Sequence, residues 1–157
     1  VDANSLRQLI RSTLSPLGLY SADAEELLMA TCAQESLLGK YRTQAPHGPA
    51  RGIFQDEGGD FNDLWDHYLV QQAHLAQQVA ALNGGQKGTV DDLVNNDAYA
   101  IAICRLHYMR VPHPLPSGSN LAAMWHMYKV WYNSINGAAT QDQFYEHYKT
   151  LVKGPAV

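Results

Sequence analysis

The 157-residue sequence predicts a mostly α-helical single domain with one irregular lobe inserted after its second helix. Three observations predict it. Apolar residues recur at helical spacing through successive segments. Glycine and proline gather in the breaks between those segments. Hydrophobic residues make up 46% of the chain and charged residues 17%, the composition of a globular domain with one sizeable core.

The first helix is expected over residues 5–14, stopping at Ser15-Pro16. The second, "SADAEELLMATCAQESLLG", has Ser21 as its N-cap and Asp23, Glu25 and Glu26 in the first turn, where the helix dipole favours acids. Gly39 is its natural terminator. From 40 to 59 the pattern fails, and Pro46, Gly48, Pro49, Gly52, Gly58 and Gly59 mark an irregular lobe, with room for a short hairpin. Loops of that length inside compact domains are usually functional or mobile. Helix returns over 61–82 and again over 90–109, ending at "VPHPLPSGS". Two more follow, over 120–132 and 140–152. No internal repeat and no interdomain linker stands out, so residues 1–157 read as one domain.

Composition excludes several classes. A net charge of −4 offers no basic stripe for nucleic acid, and it gives no long-range attraction to anionic cell-wall polymers. The longest apolar stretch, "AYAIAICRL", is far shorter than a membrane span. Cys32 and Cys104 cannot form a disulfide framework and are expected reduced and buried. Seven histidines are present, but the pair His67 and His74 lacks any zinc-binding spacing, so no metal and no cofactor is expected. The segment "NGGQKGT" lacks phosphate-loop spacing. No signal peptide pattern is visible; the chain opens on Val1, which leaves open a trimmed leader or a larger parent protein.

The sharpest feature is "AQESLLGKYRTQAPHGPARGIFQ". Ala24, Leu28, Thr31 and Glu35 share one helical stripe, so Glu35 is expected to point inward from the end of the second helix. Partial burial and the negative helix terminus both disfavour its charged form. The expectation is a raised pKa, as a general acid requires. The plain structural reading is an exposed carboxylate capped by Lys40 or Arg42.

At these residues the sequence resembles a family. "AQES" followed by "GPARGIFQ" is similar to the pattern of soluble lytic transglycosylases and goose-type lysozymes, a helix ending in Glu-Ser followed by a Gly-aliphatic-aliphatic-Gln turn. "DAYAIAICRLHYMR" and "WYNSINGA" resemble two later segments of that family in the same order. The combination looks closest to lysozyme-like proteins of tailed phages, over about residues 30–144.

The resemblance implies a lysozyme-like fold that cleaves the MurNAc-β-1,4-GlcNAc bond of peptidoglycan, with the glycan strand as partner. It implies Glu35 as acid, with Ser36, Gly52, Gln55, Tyr132 and Asn133 at the substrate site. Gln55 would bond an N-acetyl group or hydroxyl, Tyr132 would hold the Glu35 carboxyl, and Asn133 would fix that turn. It places action at the bacterial wall, from a phage particle or at lysis, by a monomer unless part of a virion. Transglycosylation needs the one glutamate; hydrolysis needs a second acid. Glu57 stands at the expected place, with Asp56 its competitor and Asp60 and Asp63 further candidates. The Glu–Asp–Thr arrangement of another phage lysozyme class is absent, since Gln44 stands where its aspartate falls.

Arg51 departs from the family's small residue, and with nearby His47 it could meet a peptide carboxylate or phosphate, or lie exposed. Ser36 is not a convincing nucleophile. Trp65, Trp125 and Trp131 could stack on sugars, though at helical positions they read as core, as does Tyr132 without the motif. The alternative function is a catalytically inactive phage structural or sugar-binding module with the same fold. A plain helical interaction protein would leave Glu35 exposed and the loop disordered.

Overall fold

A computed structural model of the chain describes residues 1–43, 48–134 and 137–154. Gln44, Pro46 and His47 therefore lie outside the described residues. Seven α-helices dominate: α1 (Ala3–Leu14), α2 (Ala22–Ser36), α3 (Gly58–His67), α4 (Ala73–Ala81), α5 (Asp97–Met109), α6 (Leu121–Met127) and α7 (Gln141–His147). Among the described residues there is no strand. The lobe holds only two isolated antiparallel bridges, Thr43 with Arg51 and Arg51 with Asp56.

The core forms around α2 and α5. Every residue of α2 from Leu27 to Ala33 is buried, so this helix is covered on all sides rather than along one stripe. It packs against α1, α5 and α7. In α5 the run from Tyr99 to Cys104 is likewise buried. α1 carries a single apolar face, Leu6, Ile10 and Leu14, and starts earlier than expected because the Asp2 carboxylate caps it by accepting from Ser5 N at 2.9 Å. Cys32 and Cys104 are buried free thiols, and burial pushes Cys32 up to about 12. Among the described residues no helix is long and apolar enough to cross a membrane.

Several expected helices are divided. The segment 61–82 becomes α3, a 3-10 turn (Leu69–Gln71) and α4. Leu64 and Leu69 are both fully buried, yet five residues of unbroken α-helix would separate them by about 140° around the axis. The chain breaks, and both reach the core. The segment 90–109 becomes a 3-10 turn (Val90–Leu93) and then α5, whose start is set by the Asn96 side chain accepting from Tyr99 N at 3.0 Å. The last two helices each end in a π-helical turn, Tyr128–Asn133 and Tyr148–Val152.

The acids at the start of α2 do more than meet the helix dipole. Glu25 is buried and accepts from Arg7 Nη1 at 2.8 Å, Arg11 Nε at 2.5 Å and the Tyr20 hydroxyl at 3.0 Å. Glu26 accepts from Arg7 Nη1 at 2.8 Å and from the Tyr148 hydroxyl at 2.5 Å. Burial alone would raise both carboxyls, but the arginine and tyrosine hydrogen bonds outweigh it and hold them below the ordinary value of 4.5. This network joins α1, α2 and the C-terminal π turn. Glu25→Ala leaves Arg7 to Glu26 alone and Arg11 to solvent, and losing the charged hydrogen bonds at Glu25 is expected to cost about 2 kcal/mol in urea unfolding at pH 7. A lowered folded pKa contributes stability above the unfolded value and loses it as pH falls through the folded one. The gap between variant and wild type should therefore narrow in acid, and a gap constant from pH 7 to pH 3 would count against the assignment.

Candidate functional site

Glu35 occupies the last turn of α2, where the helix leaves the core. It is half-buried, and burial lifts its pKa from 4.5 to about 7. The Tyr128 hydroxyl donates to its Oε1 at 2.5 Å and pulls the value down, while the negative charge of Glu57 pushes it up. The two cations expected to cap it are engaged elsewhere: Arg42 pairs with Asp97 at 2.5 Å, and Lys40 lies over the Tyr41 ring.

The chain turns sharply after Glu35. Leu37, Leu38 and Gly39 are all left-handed, with φ of 52°, 57° and 85°. For two leucines this conformation is strained by about 1–2 kcal/mol each. Ser36 holds the turn. Its hydroxyl donates to the Ile53 carbonyl at 2.6 Å and accepts from Gly39 N at 2.8 Å, and the residue is 1% exposed. Ser36 was expected at the substrate site; the structure makes it instead the tie between the helix end and the lobe, with no surface to offer a ligand.

Gly52 also differs from expectation. It is buried with φ of 81°, and a Cβ there would lie 2.8 Å from the Leu93 carbonyl oxygen. Its lack of a side chain admits the 3-10 turn before α5, not a sugar. Arg51 is ion-paired with Asp91 at 3.0 Å and donates to the Gly48 carbonyl at 2.6 Å. Gln55, left-handed at φ 50°, reaches the cleft, with its amide nitrogen bonded to the Gly52 carbonyl at 2.9 Å.

These elements enclose a cleft of about 540 Å³. Glu35, Gln55, Glu57, Tyr132 and Asn133 from the sequence reading all line it, as do Asp56 and Asp60. Asp56 is buried; its Oδ2 lies 3.1 Å from His107 Nε2, and its Oδ1 accepts from Glu57 N at 3.1 Å. Asp56 is thus engaged in holding the cleft wall. Glu57 is exposed at the start of α3, where its carboxylate makes no cap bond. Asp63 is paired with Arg110 at 2.7 Å.

Tyr132 does not hold the Glu35 carboxyl. Its hydroxyl donates to the Phe54 carbonyl at 2.7 Å, and its ring stacks on Tyr108 and Tyr128 with centroids 5.3 and 6.0 Å away. The partner of Glu35 is Tyr128, one position the sequence reading missed. Tyr128 and Tyr132 lie four residues apart on one face of the chain, and both turn inward. Asn133 accepts from Lys129 Nζ at 3.0 Å, and the same ammonium donates to the Gly137 and Ala139 carbonyls. His107, Arg110 and Trp131 also line the cleft. His107 and Arg110 were missed as site residues, whereas Trp131 was named for sugar stacking but read as core.

Among the described residues no group of three or more metal-ligating side chains comes together. Comparison with family models, curated proteins and solved structures finds no match. The chemistry must therefore be argued from the cleft. It contains one carboxyl poised to be protonated near neutrality, together with two exposed carboxylates, Glu57 and Asp60, and the buried Asp56.

Tyr128→Phe removes the bond that lowers the Glu35 pKa, so the carboxyl should titrate above about 7 by carbon-13 NMR. Tyr132→Phe, which frees only the Phe54 carbonyl, should leave that midpoint nearly unchanged. The reverse ranking would restore Tyr132 as the holding residue.

Proposed function

We propose that the protein is a peptidoglycan-cleaving glycosidase acting on the MurNAc-β-1,4-GlcNAc bond, with Glu35 as general acid. The observation that carries this reading is the half-buried carboxyl lifted to about 7 on the wall of an open cleft. At neutral pH such a group is protonated often enough to donate and acidic enough to do so readily. The substrate class rests on the resemblance of the Glu35-Ser36, Gly52–Gln55 and Trp131–Ala138 segments to lytic transglycosylases and goose-type lysozymes. A mostly helical fold with an irregular lobe after α2 is compatible with the lysozyme-like architecture that resemblance implies.

In the proposed reaction Glu35 gives its proton to the glycosidic oxygen as the C1–O bond breaks. The resulting carboxylate then takes a proton from the attacking group. If that group is the muramyl 6-hydroxyl, the product is a 1,6-anhydro ring and no second acid is needed. If it is water, Glu57 is our candidate to activate it, since Asp56 is engaged by His107; Asp60, also exposed on the cleft, is the further one.

Mass spectrometry of products from purified peptidoglycan tests this, comparing wild type with Glu35→Gln and Glu57→Gln. Anhydro-muramyl products lost only in Glu35→Gln mean transglycosylation; reducing-end products lost in both mean hydrolysis. No products from wild type would leave the inactive sugar-binding module as the better reading. Activity should also fall as pH rises through about 7, where Glu35 loses its proton.

Stability offers a separate check. A carboxyl whose pKa rises on folding contributes stability below its unfolded value and loses it as pH climbs through the folded value. Removing that titration in Glu35→Gln should stabilise the protein at pH 8 by up to about 3 kcal/mol, an advantage that vanishes near pH 4.5. A variant no more stable than wild type at pH 8 would contradict the burial of this carboxyl.

A further inference from the structure

Trp131 is 44% exposed, whereas Trp65 and Trp125 pack against the core. It is the exposed indole among the three, and it lines the same cleft as Glu35. Its exposure has a structural cause. In an α-helix, Trp131 would share a face with Tyr128, three residues earlier. Tyr132, four residues on, stays over Tyr128, while the π turn advances less per residue and so turns Trp131 further off the buried face to the cleft edge.

The indole is also braced. The His113 ring lies 5.5 Å from it, tilted by 52°. His113 stands between Pro112 and Pro114 in the loop after α5, and proline fixes the backbone angle on either side. Val111, at the start of the same loop, lines the cleft as well. Together these residues present an apolar ledge in an otherwise polar groove.

The occupant must match both ledge and groove. Four carboxylates, Glu35, Asp56, Glu57 and Asp60, line the cleft, and its Arg110 is already paired with Asp63. An anionic group is disfavoured there. A β-linked pyranose carries its substituents around the ring edge and leaves C–H faces that lie flat on an indole. Gln55 and Asn133, lining the same cleft, supply polar groups for that edge. We infer that Trp131 is the stacking platform of a saccharide subsite that takes a neutral N-acetylhexosamine ring, the uncharged member of the repeating glycan pair. This inference rests on the glycan-cleaving reading and names which sugar lies on which side chain.

Calorimetric titration with chitotetraose tests it on wild type, Trp131→Ala, Trp131→Phe and Glu35→Gln. Glu35→Gln, which removes the proposed acid, gives an uncleaved background in which wild-type binding is checked. Trp131→Ala should lose about tenfold or more in affinity, and Trp131→Phe should recover most of it. Far-ultraviolet circular dichroism checks that each variant keeps its helices. Equal affinity of Trp131→Ala and wild type, or no binding by folded wild type, would overturn the platform. The two readings fail separately. Binding that depends on Trp131 in a protein releasing no products from peptidoglycan would remove the catalytic reading and keep the subsite. Glu35-dependent cleavage with Trp131-independent binding would do the reverse.

Discussion

A helix covered on every side has to surface somewhere, and α2 does so at Glu35. The turns before it are buried through Ala33, so the carboxyl emerges from the driest part of the molecule onto a cleft wall. Its half-buried position sets its pKa, and its pKa sets what it can do. The surrounding structure either maintains that position or offsets its energetic consequence. Tyr128 offsets it, donating a hydrogen bond where water would otherwise solvate the carboxyl. Glu57 acts in the opposite sense, because its charge across the cleft keeps the proton on.

Holding a carboxyl there demands an abrupt exit from the helix, and the exit is strained. Two left-handed leucines in sequence are tolerated only where neighbouring contacts over-determine the backbone. Those contacts are identifiable. Ser36 ties the turn to Ile53, Arg42 fastens the following chain to Asp97 at the start of α5, and Gly52 lets the lobe close against Leu93. The irregular lobe is thus built on backbone fit and on three anchors rather than on a sheet. These anchors bring Gln55 and Glu57 to the cleft that the candidate acid also lines.

Glu35 was legible in the sequence because its position depends on local periodicity and on a terminator nearby, both carried by contiguous residues. Even so, the apolar stripe was only part of the reason: α2 is buried from Leu27 to Ala33, and burial is the largest cause of the raised pKa. Ser36 and Gly52 were legible as special but not as structural. A small or polar residue beside a cleft has the same appearance in sequence whether it meets a ligand or another segment, and Leu93 and Ile53 lie far from them along the chain. Tyr128 carried no motif of its own, and Trp131 was read as core for a different cause. At 3.6 residues per turn it shares a face with Tyr128, and nothing local announces the wider turn that moves it to the cleft edge. The break at Leu69 belongs to the same class, since only the three-dimensional core shows that both it and Leu64 must be buried.

The pairing of Asp56 with His107 bears on the choice between the two reactions under the proposed function. Two adjacent carboxylates, Asp56 and Glu57, open onto one cleft, and an unconstrained pair would compete for any water molecule beside the substrate. The structure removes the competition by geometry. Asp56 turns one oxygen to His107 and the other to the backbone of Glu57, so it acts as a positioning residue that orients its neighbour. Glu57 remains exposed, as does Asp60, but only Glu57 has a charge felt at Glu35. That coupling links the two roles: the ionised Glu57 that would activate water is also what helps keep Glu35 protonated. In a transglycosylating enzyme the same charge would serve only the second purpose, which is why the product, rather than the presence of Glu57, distinguishes the chemistries.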